Sequence, residues 1–203
     1  MLWVKIGVLA SGRGSNLQAI MDNCQSGYIP GKVVLVLSDN PQAYALERAK
    51  QADIPAISVV PGDFAAKELY EQKLVELLQE HEVDLVCLAG YMRLVGKTLL
   101  DAYPHKIINI HPALLPAFPG LHGQEQAFNY GVRFSGCTVH FVDAGMDTGP
   151  IILQKVVSVE PEDDADSLAA RIWVQEHQAF PEAVKYFAEG RLTIQGRKVI
   201  IKG

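Results

Sequence analysis

The sequence predicts an α/β domain built on a doubly wound, mostly parallel sheet with an antiparallel extension in its C-terminal half. Three observations predict it. Short β-branched runs alternate with segments of helical periodicity through the first half of the chain. Those runs are continuously apolar, as strands covered by helices on both faces must be. After a proline-rich stretch the alternation gives way to two runs of period two, the pattern of strands added antiparallel.

In chain order, the first strand is "WVKIGVLA" at 3–10, followed by a helix in "SNLQAIMDNCQSG". The second strand is "KVVLVLS" at 32–38, with a helix in "QAYALERAKQAD", and the third is "PAISVV" at 55–60. In "KELYEQKLVELLQEHE", Tyr70, Leu74, Leu77 and Leu78 fall on one helical face. The fourth strand is "VDLVCLAG" at 83–90 and the fifth "KIINI" at 106–110. A short helix near "GQEQAFNYG" leads into the period-two runs "GCTVHFVD" at 136–143 and "PIILQKVVSV" at 150–159. The acidic loop "EPEDDADS" caps a long helix whose Leu168, Ile172, Phe180, Val184 and Phe187 face inward, and "RLTIQGRKVII" reads as a hairpin. No repeat or linker divides the chain, so one domain over residues 1–203 is expected.

Composition narrows the function. The 203 residues are 49% hydrophobic and 20% charged with a net charge of −5, the profile of a compact domain without the basic run that tracks a phosphate backbone. That argues against a nucleic-acid partner. The longest apolar runs are too short to span a bilayer, and the N-terminus lacks the pattern of a signal peptide, so no membrane is expected and a cytoplasmic location is. The three cysteines, Cys24, Cys87 and Cys137, have no CxxC spacing and read as buried core residues, and the six histidines lack metal-site spacings. No metal is expected.

"LASGRGSNLQAI", residues 9–20, passes from the first strand through Gly12 and Gly14 into the first helix. Such a loop turns tightly and offers free N–H groups at a helix N-terminus, an anion site suited to phosphate. A dinucleotide fingerprint fails, because its third glycine is Leu17 and no acid positioned for a ribose ends the second strand, where Asp39 precedes "NPQ". The plainer reading is a tight turn with Ser15 as helix cap. Ser15 and Asn16 favour binding of a phosphate monoester.

Ligands of doubly wound sheets bind beyond the carboxyl ends of the strands, where the glycine loop, "AGYMRLVG" and "NIHPALLP" converge. Asn109 and His111, two residues apart on a strand, share one face, with Ile110 on the other. An amide N–H and a protonated imidazole there can hold an oxygen that turns negative in a tetrahedral intermediate. A carboxylate is needed to raise the histidine's pKa above its usual value of about 6.5. Asp147 and Asp143 in "VDAGMDTGP" both qualify. His140 reads as a packed sheet residue, and His81 and His105 as helix-end or loop residues. No GxSxG elbow points to a covalent acyl-enzyme.

These residues resemble the phosphoribosylglycinamide formyltransferase family. The likeness covers nearly the whole chain, carried in order by "SGRGSNLQAI", "SDNPQAYALERAKQA", "LAGYMRLV", "NIHPALLPAFPGLHG", "GCTVHFVDAGMDTGPIILQ" and "QEHQAFPEAV". The resemblance implies a Rossmann-like formyltransferase fold, its N-terminal half binding the ribonucleotide phosphate and its C-terminal half completing a folate site. It implies direct transfer of formyl from 10-formyltetrahydrofolate to the amine of glycinamide ribonucleotide by a monomer or homodimer. It makes Asn109, His111 and Asp147 the catalytic trio, choosing Asp147 over Asp143, with Asp147 raising the His111 pKa. Phosphate binding falls to Gly14, Ser15 and Asn16, with Glu176 near the ribonucleotide. Folate contacts fall to Met92, Arg93, Leu94, Val95 and Asn109. Lys67 stands where many members have an arginine near the folate, and lysine lacks the bidentate fork. His122 joins as a site residue, while Gly123 and Gln124 carry over no ligand role.

Methionyl-tRNA formyltransferase shares the Asn-x-His-Pro pattern but carries a further C-terminal domain and a basic tRNA surface. Formyltetrahydrofolate hydrolase carries an N-terminal regulatory domain, whereas this chain opens on its first strand. A passive binder of a phosphorylated metabolite would need only the glycine loop and gains little from an oxyanion-stabilising set.

Overall fold

The structure, a computed structural model, describes residues 3–203. Among them nine strands form one sheet in the order β3-β2-β1-β4-β5-β6-β7-β9-β8. These are β1 (Val4–Leu9), β2 (Gly31–Ser38), β3 (Ala56–Ser58), β4 (Leu85–Leu88), β5 (Ile107–His111), β6 (Phe134–Phe141), β7 (Ile151–Ser158), β8 (Leu192–Gln195) and β9 (Lys198–Ile201). The first five are parallel, and β6 and β7 extend them antiparallel. The doubly wound sheet and its extension are as the sequence predicts.

The helices are α1 (Ser15–Gln25), α2 (Tyr44–Gln51), α3 (Lys67–Glu80), α4 (Lys97–Ala102), α5 (Gly123–Tyr130) and α6 (Ala165–Ala188). Each face of the sheet has its own core. On one, α1, α2 and α6 cover Ile6, Val8, Cys87, Ile108 and Val139. On the other, Tyr70, Leu74, Leu77 and Leu78 of α3, with Leu99 of α4, cover Leu9, Leu35, Val86 and Ile107. Cys24, Cys87 and Cys137 are buried free thiols in the first core.

Helix α6 starts as anticipated: Asp164 accepts from Ser167 N at 2.7 Å while Ser167 Oγ accepts from Asp164 N at 3.0 Å, a reciprocal cap that satisfies two otherwise orphan donors. Arg171 then forks onto Asp163 at 2.6 and 2.9 Å. Leu168, Ile172, Phe180 and Val184 are fully buried, and Phe187 packs partly buried against them.

Two elements differ from expectation. The third strand shrinks to three residues because Pro61, which has no N–H for the ladder, opens a 3-10 turn at Pro61–Asp63. Helix α4 was not anticipated, being only six residues long and without a capping side chain of its own.

Candidate active site

The strand order reverses between β1 and β4: the chain leaves β1 toward β2 on one side and β4 toward β5 on the other. The loops that part there leave a crevice at the carboxyl ends of the strands. A cleft of about 780 Å³ opens at that point, lined by the glycine loop, residues 88–95, the end of β5 and the 143–147 loop. Its size is that of a small-molecule site.

On β5, Ile108 and Ile110 face the core under α6, so alternation turns Asn109 and His111 toward the opposite face, where the strand's end opens into the cleft. His111 is 3% exposed. Its Nε2 lies 2.8 Å from the Phe118 carbonyl, which can only accept, so Nε2 carries the proton. Its Nδ1 lies 3.3 Å from Asp147 Oδ2. Asp143 makes no such contact; its Oδ1 accepts from Thr148 Oγ1 at 2.6 Å and Gly145 N at 3.1 Å, bracing the loop that presents Asp147.

Burial pushes the His111 pKa down, and this outweighs the upward pull of the Asp147 charge and the Phe118 hydrogen bond, so the net shift is below the ordinary value. The expected net rise is therefore corrected: Asp147 pulls upward as anticipated, but a nearly dry ring yields the larger effect. Burial pushes Asp147 upward, yet the Gly120 N–H at 2.7 Å and the charge of His111 oppose it, and the carboxyl is held below the usual range. Asp147 sits at φ 54°, a left-handed backbone that Asp tolerates better than most residues.

His140 belongs to the site as well as to the sheet. Register pairs it with Asn109 across β5 and β6. Its Nδ1 donates to the Phe141 carbonyl at 2.9 Å, so Nε2 accepts from Asn109 Nδ2 at 3.2 Å. One hydrogen of the Asn109 amide is thereby fixed and the second remains for a ligand. His140 Nε2 also lies 3.6 Å from Asp147 Oδ1. Gly123, to which no role was assigned, has one in packing: a Cβ there would come within 2.9 Å of His111 Nε2 and 3.0 Å of the Phe118 oxygen. His122 beside it is exposed on the cleft rim, its Nδ1 3.9 Å from Glu125.

The glycine loop is tied down from behind. Ala45 N donates to the Gly12 carbonyl at 3.0 Å and Arg48 Nε to the Arg13 carbonyl at 2.9 Å. Gly14 has φ 69° and lies so close to α2 that a Cβ would meet Ala45 at 2.8 Å. Gly14, not Ser15, occupies the cap position; Ser15 is the first helical residue and no side chain caps α1, which corrects the capping reading. Asn16, nearly buried, donates through Nδ2 to Glu176 Oε2 at 2.8 Å, and its Oδ1 meets no donor. Burial pushes the Glu176 carboxyl up to about 7 against the lowering effect of that bond.

At the other end of the cleft lie Met92, Arg93, Leu94 and Val95, with the Met92 and Leu94 side chains 63% and 55% exposed. Arg93 reaches to 3.9 Å from Asp39 and stacks near the Tyr70 ring. Lys67 starts α3, with its ammonium 3.8 Å from Glu71. Glu71, unmarked by any sequence signal, is buried at 4% exposure and accepts from Gly96 N at 2.5 Å and Leu99 N at 3.4 Å. It caps α4 from another helix and so anchors the 91–96 loop. Among the described residues no cluster of three His, Cys, Asp or Glu side chains could hold a metal ion, and no helix is long and apolar enough to cross a membrane.

Fold and site together define an enzyme of the formyltransferase class, and the family model described as formyl transferase matches residues 4–184. The phosphoribosylglycinamide formyltransferase of Bacillus subtilis is 47% identical over 181 residues, 89% of this chain and 93% of its own. A crystal structure of glycinamide ribonucleotide transformylase 1 from Symbiobacterium toebii superposes with a TM-score of 0.98 at 53% identity, covering 99% of this chain and 95% of that one. The chain also matches the trifunctional purine biosynthetic protein adenosine-3 of Drosophila melanogaster at 46% identity over 94% of its length, spanning 14% of that longer protein. The chain belongs to the phosphoribosylglycinamide formyltransferase family.

Proposed function

We propose that the chain, acting as one domain over residues 1–203, transfers the formyl group of 10-formyltetrahydrofolate directly to the amine of glycinamide ribonucleotide. The observation that carries this reading is the meeting of Asn109, His111 and Asp147 beside an anion-ready glycine loop in one cleft. The phosphate sits on the Gly14–Asn16 turn, whose N–H groups lack intrahelical acceptors. Asn16 Oδ1, buried without a donor, takes a ribose hydroxyl, and Glu176 lies next to it. The pterin lies against residues 92–95, covering the exposed Met92 and Leu94 side chains. Lys67, 51% exposed and turned to Glu71, supplies no folate contact in this reading.

The amine lone pair attacks the formyl carbon and its C=O electrons move to oxygen. The free hydrogen of Asn109 Nδ2 donates to that oxyanion, and the positive charge of the His111 imidazolium stabilises it electrostatically. As the intermediate collapses, the bond from carbon to the folate nitrogen breaks, that nitrogen takes a proton, and the former amine gives one up. Because Nε2–H is engaged by Phe118, the mobile proton is the one on Nδ1, shared with Asp147. The negative charge that develops offsets the cost of a buried imidazolium, so protonation of His111 is favoured as the reaction proceeds.

The test is to mix the protein with glycinamide ribonucleotide and 10-formyltetrahydrofolate and follow both products. Stoichiometric formylglycinamide ribonucleotide and tetrahydrofolate are expected. Release of formate without formylated amine would overturn transfer in favour of hydrolysis.

A further inference from the structure

Arg13 stands between the two glycines of the phosphate-binding turn, and its guanidinium lies 4.5 Å from the centroid of the Trp173 ring on α6. Both residues line the cleft. Among the described residues no carboxylate comes within ion-pair distance of Arg13. We propose that Arg13, held by this stack, is the residue that makes the site specific for a phosphorylated over an unphosphorylated ribosyl substrate. This rests on the ribonucleotide reading above.

Charge supply is the first reason. A phosphate monoester carries a charge of about −1.5 to −2 at neutral pH, whereas the turn offers neutral donors: the N–H groups of Gly12, Arg13 and Gly14 meet no acceptor among the described residues. The other arginine lining the cleft, Arg93, faces Asp39 at the end of β2. Arg48 lies behind the turn with Nε on the Arg13 carbonyl and Nη1 on Gln18. Arg13 is therefore the cation that the turn itself brings to the anion.

Geometry is the second. A guanidinium stacked on a ring uses its face, while its N–H donors lie in its plane and stay available for a bidentate phosphate contact. A carboxylate partner would occupy those same donors and cancel the charge. The indole holds the group and leaves both intact. Trp173 and Glu176 are three residues apart on α6 and so share a face; one touches Arg13 and the other Asn16, so a single helix sets both ends of the turn.

The experiment compares glycinamide ribonucleotide with its dephosphorylated ribonucleoside as formyl acceptors for the unaltered protein, Arg13→Ala, Trp173→Leu and the double variant. Arg13→Ala is expected to raise KM for the ribonucleotide by about 10- to 100-fold, the worth of a charged hydrogen-bonded contact. The ribonucleoside KM and the folate KM should change far less. Trp173→Leu should raise the ribonucleotide KM by a smaller factor, and adding it to Arg13→Ala should cost little more, since the two act as one unit. Equal losses on both acceptors, no loss in Arg13→Ala, or fully additive losses would overturn the proposal. Calorimetric binding of ribose 5-phosphate gives the same comparison without turnover. If the unaltered protein formylates neither acceptor, the functional reading fails, and weaker ribose 5-phosphate binding by Arg13→Ala still decides the role of Arg13.

Discussion

His111 has both ring nitrogens engaged, one by the Phe118 carbonyl and one facing Asp147, so its charge state depends on opposed forces of known sign. Burial lowers its pKa and Asp147 raises it. Removing the carboxylate in Asp147→Asn leaves burial less opposed, and the His111 pKa read by imidazole NMR should fall further; an unchanged or higher value would contradict the pairing. Turnover in Asp147→Asn and His111→Ala should drop by about 10²–10⁴-fold, the usual worth of positioned proton transfer. Binding of the ribonucleotide should weaken much less, because neither side chain touches the glycine turn; equal losses in rate and affinity would count against these roles.

Glu176 gives a second test at this scale. Its carboxyl titrates at about 7 in the folded chain against an ordinary 4.5. The folded state therefore keeps a proton that the unfolded chain has released, and stability contributed by that proton is full below pH 4.5 and lost as pH rises through 7. The gap corresponds to about 3 kcal/mol. Glu176→Gln should match the parent near pH 4 and exceed it by up to about 3 kcal/mol near pH 8 in urea unfolding. A difference that does not grow with pH would show that Glu176 ionises normally in the folded protein.

At the scale of elements, α4 and the loop before it depend on a residue far away in sequence. A six-residue helix lacks the length to nucleate alone. Glu71 of α3 supplies its N-terminal acceptor and fixes Gly96, where a Cβ would meet the carboxylate at 2.7 Å. Glu71→Ala removes the acceptor of the part-buried Gly96 N–H and the buried Leu99 N–H and should destabilise the fold by about 1–3 kcal/mol. It should also raise the folate KM more than the ribonucleotide KM, since the loosened segment is 91–96; a larger effect on the ribonucleotide would refute that link. The same dependence on distant partners explains why α4 and Glu71 were not legible in sequence. His140 was hidden likewise, because its alternation with Val139 and Phe141 reads as a packed strand until the β5–β6 register sets it opposite Asn109.

For the molecule as a whole, the sheet is both the core and the positioning device. Its two apolar layers hold the strand ends rigid, and the reversal of strand order between β1 and β4 opens the cleft that they share. Phe180, fully buried under α6, links that helix to the sheet. Phe180→Ala should cost about 3–5 kcal/mol with the folded variant still binding folate. A loss under 1 kcal/mol in urea unfolding would mean α6 is less firmly seated than its burial implies.

The amino-acid order alone determined the period of each strand and helix, the tight turn at Gly12 and Gly14, and the shared face of Asn109 and His111, because these follow from backbone sterics and side-chain alternation within a few residues. It also supplied a family likeness specific enough to single out Asp147. Tertiary structure alone decided that His140 orients the Asn109 amide, that burial outweighs Asp147 at His111, that Glu71 caps α4 behind the 91–96 loop, and that Trp173 lies against Arg13. Those outcomes depend on desolvation and on contacts between residues up to 160 positions apart, and neither quantity exists until the chain is packed.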